Sequence, residues 1–297
     1  MRDKFSFIEK ESDKDALEMA SESKIQFTKM QGLGNDFMVV DAINQDIAFC
    51  DERIRQWSDR HFGIGFDQLL VVEKPTQKGV DFRYRIFNAD GSEVQQCGNG
   101  ARCFARFVYD KGLTTQTEIR VETASGLIVL YIEDSGWVRV NMGAPDFLPE
   151  SLPFLAADMA DSYEVMVLES TLSIGAVSMG NPHAVLPVDD IETAPVETFG
   201  EVLESHPLFP ERVNVGFVQK LDDSHIRLRV YERGAAETLA CGTGACAAMV
   251  VLRKWQQVAD EVKVSLPGGD LTIHWDGKDS SSVWMSGPAV SVFEGEI

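Results

Sequence analysis

Two cysteines of this chain begin nearly identical glycine-rich motifs. Residues 97–103 read CGNGARC, residues 241–247 read CGTGACA, and each motif leads into an apolar run. This pattern predicts a cysteine at the N-terminus of a helix, where unpaired N–H groups and the helix dipole stabilise a thiolate. The glycines that follow leave room for a carboxylate to approach the same N–H groups.

A pair of such sites, facing each other across a cleft, has the groups needed to invert a carbon centre. One thiolate removes a proton from one face of Cα, and the thiol of the other cysteine donates a proton to the opposite face. The two helix N-termini would stabilise the charge that builds up on a carboxylate as the proton leaves. The protonation states of Cys97 and Cys241 must differ, so we expect the two thiols to titrate as a unit.

The residues alone leave other uses of the cysteines open. A single motif of this kind is as compatible with a buried structural cysteine, and a redox disulfide between Cys97 and Cys241 is a further alternative. Zinc is disfavoured because the spacing to Cys103 and Cys246 is wrong and no histidine lies close by. We expect Cys103, Cys246 and Cys50 to be packing residues.

The elements that carry the two motifs are repeated along the chain. Residues 82–101 align with residues 226–245 at a constant offset of 144, with seven identities in 20 positions. Further upstream the offset becomes 146. The identical pairs are Arg83 and Arg227, Arg85 and Arg229, Glu93 and Glu237, Cys97 and Cys241, Gly98 and Gly242, Gly100 and Gly244, and Ala101 and Ala245. A single repeat of this length favours two copies of one domain over a solenoid.

Each copy has the same predicted order of strand, loop and helix. The alternating stretches FRYRIF (82–87) and IRLRVY (226–231) predict strands with one buried face. The apolar runs after the cysteines predict helices from about Gly98 to Tyr109 and from about Gly242 to Trp255. The glycine- and proline-containing stretch 138–147 is predicted to connect the two copies.

Composition narrows the possible partners. The formal net charge is −20, which disfavours nucleic acid and anionic membrane surfaces as partners. Residues 1–24 are densely charged without an apolar core, so we expect a disordered or loosely docked tail and not a signal peptide. Five cysteines at low density favour a reduced, cytoplasmic protein.

The motifs together resemble those of diaminopimelate epimerase, an isomerase of lysine and peptidoglycan biosynthesis. The matching stretches cover the chain from about residue 25 to its end. They are FTKMQGLGNDFMVVD (27–41), GFDQLL (65–70), NADGSEVQQCGNGARC (88–103), GNPHAV (180–185) and ERGAAETLACGTGACA (232–247).

The resemblance implies an α+β fold with two pseudo-symmetric halves, each a β-sheet wrapped around a central helix. The first half would comprise residues 25–141, completed by 287–297, and would carry Cys97. The second half, 142–286, would carry Cys241. The implied activity is the epimerisation of LL-2,6-diaminopimelate to meso-diaminopimelate, with no cofactor and no metal. A homodimer is also implied.

The resemblance also assigns roles to individual residues. Cys97 and Cys241 would be the two catalytic bases, with Glu232 and His183 beside the reacting centre. The residues that would hold the reacting α-carboxylate are Gly98, Asn99, Gly242 and Thr243. The residues that would recognise the distal amino-acid end or line the pocket are Asn35, Gln68, Asn88, Asn181, Asn214 and Arg233.

The two copies differ where a two-ended substrate requires it. At the alignment offsets His183 lies on Phe37, and Glu232 lies on Asn88. Without the resemblance, His183 would be read as a core histidine and Arg233 as a surface residue. The family usually has glycine where Ala236 stands, and we expect no loss of function from the methyl group.

Two other hypotheses are compatible with the sequence. One is a related isomerase that acts on another small acid, such as a proline-type racemase. The other is a thiol redox sensor or binding module without turnover of any amino acid.

Overall fold

The computed structural model describes residues 24–94 and 98–297. Cys97, together with residues 1–23 of the predicted tail, lies outside the described residues. The described ranges form the helices α1 (Asp51–Ser58), α2 (Gly98–Asp110), α3 (Val196–Glu204) and α4 (Gly242–Lys254), with a 3₁₀ turn at Pro149–Ser151. In this part of the chain, no helix has the length and apolar character needed to cross a membrane.

The described residues also form eighteen strands. Those before α3 are β1 (Gln26–Gly32), β2 (Asn35–Asp41), β3 (Gln68–Glu73), β4 (Phe82–Asn88), β5 (Glu93–Val94), β6 (Glu118–Thr123), β7 (Gly126–Ile132), β8 (Val138–Asn141), β9 (Tyr163–Val167), β10 (Ser170–Ser178) and β11 (Pro182–Pro187). Those after it are β12 (Asn214–Lys220), β13 (His225–Glu232), β14 (Ala236–Thr238), β15 (Glu261–Leu266), β16 (Gly269–His274), β17 (Trp284–Gly287) and β18 (Val290–Glu296).

The strand register repeats at the offsets seen in the sequence. The parallel pair β2–β3 places Phe37 opposite Gln68, and the parallel pair β11–β12 places His183 opposite Asn214. The hairpins β4–β5 and β13–β14 also correspond, with Ile86 opposite Val94 and Val230 opposite Thr238. The predicted pseudo-symmetric α+β fold is therefore confirmed at the level of individual strand pairs.

Each half has one central helix with its apolar side chains packed inside the sheet. In the first half Phe104 of α2 packs within a core that includes Tyr84, and in the second half Met249 of α4 packs within a core that includes Trp275. Both predicted helices are confirmed to within one residue at their C-terminal ends. Cys103 and Cys246 are buried, as predicted.

One expectation about packing was wrong. Cys50 is exposed, immediately before the first residue of α1, and does not belong to a core. The reason is that the apolar face of α1 is formed by Ile54 and Trp57, which pack on the outer surface of β2 and β3. Helix α3 packs on β12 and β13, with Leu203 buried.

The two halves share one continuous sheet. Strand β8 pairs with β17, with Asn141 opposite Trp284. The C-terminal strand β18 then returns to the first half and pairs with β1, where Lys29 lies opposite Phe293. The backbone of Ile25 and that of Ile297 exchange two hydrogen bonds at the end of this ladder. The division of the chain at 141/142 and 286/287 stays a prediction.

A glycine in β10 permits the close approach of α4. A methyl group at Gly175 would overlap Cγ1 of Val251 and lie 3.2 Å from Cζ2 of Trp255. We therefore expect Gly175→Ala to lower the free energy of unfolding by about 1–3 kcal/mol, as overpacking does. The urea midpoint of the purified protein measures this.

A second substitution tests the cause. Val251→Ala removes the overlapping methyl groups, so the loss in Gly175→Ala/Val251→Ala should be smaller than the sum of the two single losses. Ser173→Ala, at an exposed position of the same strand, is the matched control and should leave the midpoint unchanged. Additive losses would contradict the proposed steric conflict.

Candidate active site

A cavity of about 1090 Å³ lies where the two halves meet. The first residues of both central helices line it: Gly98 and Asn99 of α2, and Gly242 and Thr243 of α4. The hairpin between β13 and β14 forms another part of the wall. The N-terminal N–H groups of two helices therefore serve one cavity, which is a favourable arrangement for an anion.

Met285 lies between the two helix starts. An added Cβ at Gly98 would be 3.4 Å from Cε of Met285, and one at Gly242 would be 3.1 Å from its Sδ. The same position at Gly242 is 3.8 Å from Oδ1 of Asn99. A side chain at Gly242 would therefore require Met285 to move. The missing side chains allow the two helices to begin beside each other.

Cys241 is the N-cap residue of α4. Its Sγ accepts a hydrogen bond from the N–H of Gly244 at 3.4 Å, and the Thr243 hydroxyl lies 3.6 Å away. The side chain lines the cavity although the residue is only 5 % exposed. The sulfur thus lies at the wall of the cavity and against the first turn of the helix.

The environment of Cys241 favours the thiol over the thiolate. Burial is the largest cause that raises the pKa of this thiol, and the nearby Glu232 carboxylate raises it further. Hydrogen bonds from Thr243 and from the Gly244 N–H act in the opposite direction but do not compensate. The helix terminus alone would predict a lowered pKa, so desolvation and the carboxylate reverse that expectation in the ligand-free protein.

Cys97, the other predicted catalytic base, lies outside the described residues. Gly98, the next residue, lines the cavity. The pairing of Cys97 and Cys241 across this cavity therefore stays a prediction.

Glu232 lines the cavity at the end of β13. Thr238, on the paired strand β14, donates its hydroxyl hydrogen bond to Oε1 of Glu232. The sequence motifs do not predict this role for Thr238. Its neighbour Glu237 is identical in the two copies, and this identity is the feature of the sequence that points to this part of the hairpin.

The same hairpin is closed by an ion pair that occurs in both halves. Arg229 donates from Nε and Nη2 to the two carboxylate oxygens of Glu237, at 2.6 and 2.7 Å. Arg85 makes the equivalent pair with Glu93 at 2.8 and 2.9 Å. In each copy the glutamate stands four residues before the cysteine of the motif. The repeated identities in the sequence thus correspond to a repeated contact.

His183 lies behind the wall of the cavity and not in it. The residue is 1 % exposed, and its Nε2 is 3.1 Å from Oδ1 of Asn181, which does line the cavity. Nδ2 of Asn181 in turn donates to the Thr243 hydroxyl at 3.4 Å. Burial, with a smaller effect of the Arg233 charge, lowers the pKa of His183 to about 3. The imidazole is therefore neutral, and it contacts the site through Asn181.

Three amides of the first half line the cavity: Asn35, Gln68 and Asn88. Gln68 donates from Nε2 to Oδ1 of Asn88 at 3.0 Å, and Asn35 donates from Nδ2 to Asp67 at 2.7 Å. Oε1 of Gln68 is buried and has no hydrogen-bond partner among the described residues.

Asn214 and Arg233 do not belong to the cavity wall as the structure stands. Asn214 is 3 % exposed and accepts a hydrogen bond from the backbone N–H of Arg233 at 2.9 Å. The Arg233 side chain is directed to the carbonyl of Glu211, at 3.2 Å. Asn214 therefore holds the backbone of Arg233, whose guanidinium is exposed.

The departure from the family pattern, Ala236, is the first residue of β14. Ala236 has a φ of 59°, in the left-handed region that glycine adopts without steric cost. The methyl group at this exposed position costs conformational energy of about 1 kcal/mol. The Ala236 backbone still pairs with Glu232 in the hairpin.

The described residues contain no group of three or more histidine, cysteine, aspartate or glutamate side chains that could hold a metal ion. The cysteine spacing predicts that the chain has no metal site. For the whole chain this stays a prediction.

Comparison with known proteins gives a family match over most of the chain. The family model described as Diaminopimelate epimerase matches residues 27–148 and 175–292. The chain is also 60 % identical to the diaminopimelate epimerase of Nitrosomonas europaea over 274 residues, which are 92 % of this chain and 99 % of that protein.

Solved structures of more distantly related sequences share the fold. A phenazine biosynthesis protein of the PhzF family from Bacillus anthracis has a TM-score of 0.68 at 19 % identity, covering 93 % of this chain and 99 % of its own. A probable proline racemase from Agrobacterium radiobacter has a TM-score of 0.63 at 16 % identity, covering 92 % of both chains. At these identities the similarity concerns the fold alone.

The raised pKa of Cys241 predicts slow alkylation. In the ligand-free protein, iodoacetamide should modify Cys241 slowly at neutral pH, with a rate that still rises at mildly alkaline pH. Glu232→Gln removes a negative charge that disfavours the thiolate, so the rate at a fixed pH should increase roughly threefold or more. Mass spectrometry of the peptide that contains Cys241 measures the rate.

Cys50 provides the internal reference, because its exposed thiol is modified in the same sample. Its rate should not respond to Glu232→Gln. Modification of Cys241 as fast as that of Cys50 at neutral pH would contradict the assignment of a raised pKa.

Proposed function

Because this chain belongs to the diaminopimelate epimerase family, we propose that it interconverts LL- and meso-2,6-diaminopimelate with two cysteines as acid and base. The protein is an isomerase of lysine biosynthesis. The observation that supports the mechanism is the meeting of two glycine-lined helix starts at one cavity, with Cys241 as the cap of one of them.

The reacting α-carboxylate binds at the two helix starts. Backbone N–H groups of Gly98, Asn99, Gly242 and Thr243 are the donors, and the helix dipoles add positive potential at the same point. Negative charge grows on this carboxylate as the Cα proton leaves, so donors already in place stabilise the transition state more than the ground state.

Cys241 is the proton donor in the direction in which Cys97 is the base. Its raised pKa keeps the proton on sulfur until the substrate is bound. The Cys97 thiolate takes the Cα proton from one face, and the Cys241 thiol gives its proton to the other face. Afterwards Cys97 is the thiol and Cys241 is the thiolate, so the reverse reaction uses the same groups with their roles exchanged.

Glu232 accepts hydrogen bonds from the α-ammonium group of the substrate. Its carboxylate faces the cavity and is oriented by Thr238. A bound ammonium would neutralise the charge that now raises the pKa of Cys241. Substrate binding thereby makes deprotonation of the Cys241 thiol more favourable. His183 contributes by orienting Asn181 and, through it, the Thr243 hydroxyl.

The distal amino-acid end binds to neutral amides and one cation. Asn35, Gln68, Asn88 and Asn181 line the cavity and can serve both a carboxylate and an ammonium group. Arg233, held at its backbone by Asn214, supplies a guanidinium suited to a carboxylate. We propose that its side chain leaves the Glu211 carbonyl when substrate binds.

No cofactor is needed in this mechanism, since the two sulfurs perform both proton transfers. We further propose a cytoplasmic location, which keeps the thiols reduced. Among the described residues, Cys50, Cys241 and Cys246 are free thiols.

A homodimer is also part of the proposal, with β18 as its contact surface. In the described residues β18 pairs with β1 alone, so one edge of it has no strand neighbour. Val290, Val292 and Phe293 are 44 %, 56 % and 48 % exposed. An edge strand with exposed apolar side chains is a typical surface for pairing with a second copy.

Isotope exchange tests the reaction. In deuterated solvent the purified protein, without added pyridoxal phosphate or metal, should incorporate deuterium at Cα of diaminopimelate. Cys97→Ser and Cys241→Ser should each lower kcat by about 10²- to 10⁴-fold, because a hydroxyl is a far weaker base than a thiolate. NMR of the substrate measures exchange and epimerisation together.

Cys50→Ser is the matched control, because it changes an exposed thiol outside the cavity and should keep full activity. Full activity in both site variants would contradict the two-thiol mechanism. Turnover of proline without turnover of diaminopimelate would contradict the substrate.

Analytical ultracentrifugation tests the dimer. Phe293→Glu places a charge on the edge strand and should convert the dimer to a monomer. Leu155→Glu changes an exposed apolar residue elsewhere, 63 % exposed, and should leave the dimer intact. A monomeric wild-type protein, or a dimer that persists in Phe293→Glu, would contradict the proposed contact.

A further inference from the structure

The first turn of α2 lies against a fully buried guanidinium. Arg102, three residues after Asn99, is 0 % exposed. Its Nη2 donates to Oδ1 of Asn99 at 3.0 Å, and its Nε donates to the carbonyl of Pro288 at 3.2 Å. Its Nη1 is 3.8 Å from Sδ of Met285, the side chain between the two helix starts.

Two strands leave space for this side chain. A methyl group at Gly32 in β1 would lie 3.3 Å from Nη2 of Arg102. A methyl group at Gly287 in β17 would lie 3.1 Å from its Nε. Both contacts are tighter than usual for a Cβ atom, so a side chain at either position would require the guanidinium to shift; at Gly287 the methyl group would also overlap Cδ2 of Leu271.

The fold does not require a cation at this position. At the alignment offset of 144, Arg102 corresponds to Cys246 of the second half. Cys246 is also 0 % exposed, and α4 forms the same central helix around it. Removing a charge from water costs free energy, and an apolar replacement is often neutral or stabilising. A role in the site therefore explains Arg102 better than a role in folding.

The contact with Asn99 decides which way the amide points. A guanidinium only donates hydrogen bonds, whereas an asparagine amide has one acceptor end and one donor end. Arg102 can therefore pair only with Oδ1, and the NH₂ group of Asn99 is left to face the other way. Asn99 lines the cavity, so that NH₂ group is available to an anionic group in it.

We propose that Arg102 is a positioning residue that fixes the Asn99 amide with its NH₂ group toward the reacting α-carboxylate of the substrate. The inference rests on the proposed function, because it assigns that carboxylate to the helix starts. The second half achieves a similar result differently: the residue that corresponds to Asn99 is Thr243, which receives a hydrogen bond from Asn181.

A double-mutant cycle tests this role. Arg102→Met keeps an unbranched, apolar side chain and removes the donors, and Asn99→Ala removes the amide. We expect each to lower kcat/KM by about 10- to 100-fold, the effect of one hydrogen bond to a charged group. If Arg102 acts through Asn99, the double variant should be no worse than Asn99→Ala alone. Losses that multiply would overturn the proposal.

Gly32→Ala provides a second route to the same test, in case Arg102→Met does not fold. The added methyl would lie 3.3 Å from Nη2 of Arg102 and would shift the guanidinium slightly without changing its charge. We therefore expect a smaller loss than in Arg102→Met, with the same non-additivity with Asn99→Ala. Arg102→Lys, which keeps a donor and a charge, should recover part of the activity lost in Arg102→Met. Arg106→Met, one turn further along α2 in an ion pair with Asp110, is the control and should retain full kcat/KM.

Calorimetric binding of meso-diaminopimelate to the wild-type protein separates the two levels of inference. Binding without Cα exchange would contradict the proposed function. The double-mutant cycle of Arg102 and Asn99 would then be measured with dissociation constants in place of kcat/KM. Normal wild-type turnover with multiplying losses in the cycle would contradict only the role of Arg102. A wild-type protein that neither binds nor turns over the substrate would contradict both.

Discussion

The close contact of two helix N-termini is the constraint on which the site depends. Gly98 and Gly242 have no side chains, so the first turns of α2 and α4 both contact Met285 and open into one cavity. The continuous sheet across β8 and β17 holds the two helices in this position. A side chain at Gly242 would require Met285 to move.

Burial gives the site a protonation state that the helix ends alone would not produce. Desolvation raises the pKa of Cys241 and lowers that of His183, in each case because it disfavours the charged form. The ligand-free site therefore combines a thiol with a neutral imidazole. A substrate that carries an ammonium group to Glu232 would change the balance at Cys241. The charge of the substrate would then contribute to the protonation state of the thiol with which the substrate reacts.

The duplication supplied a symmetric scaffold, and substitutions made the site directional. The strand registers and the ion pairs Arg85–Glu93 and Arg229–Glu237 are equivalent in the two halves. Residues that line the cavity differ at equivalent positions. They are Asn88 and Glu232, Asn99 and Thr243, and, one layer behind the wall, Arg102 and Cys246. A substrate with two similar ends, such as diaminopimelate, is consistent with a symmetric scaffold whose lining residues differ between the halves.

By itself, the sequence determined the local structure. The cysteine and glycine spacing predicted where α2 and α4 begin, and alternation predicted β4 and β13, because helix starts and strand faces depend on residues a few positions apart. The motifs also pointed to most of the residues that line the cavity. The tertiary structure alone decided what burial does to them. It put His183 behind Asn181, buried Arg102 beneath Asn99 and left Cys50 exposed, since the packing of a side chain depends on strands far away in the chain.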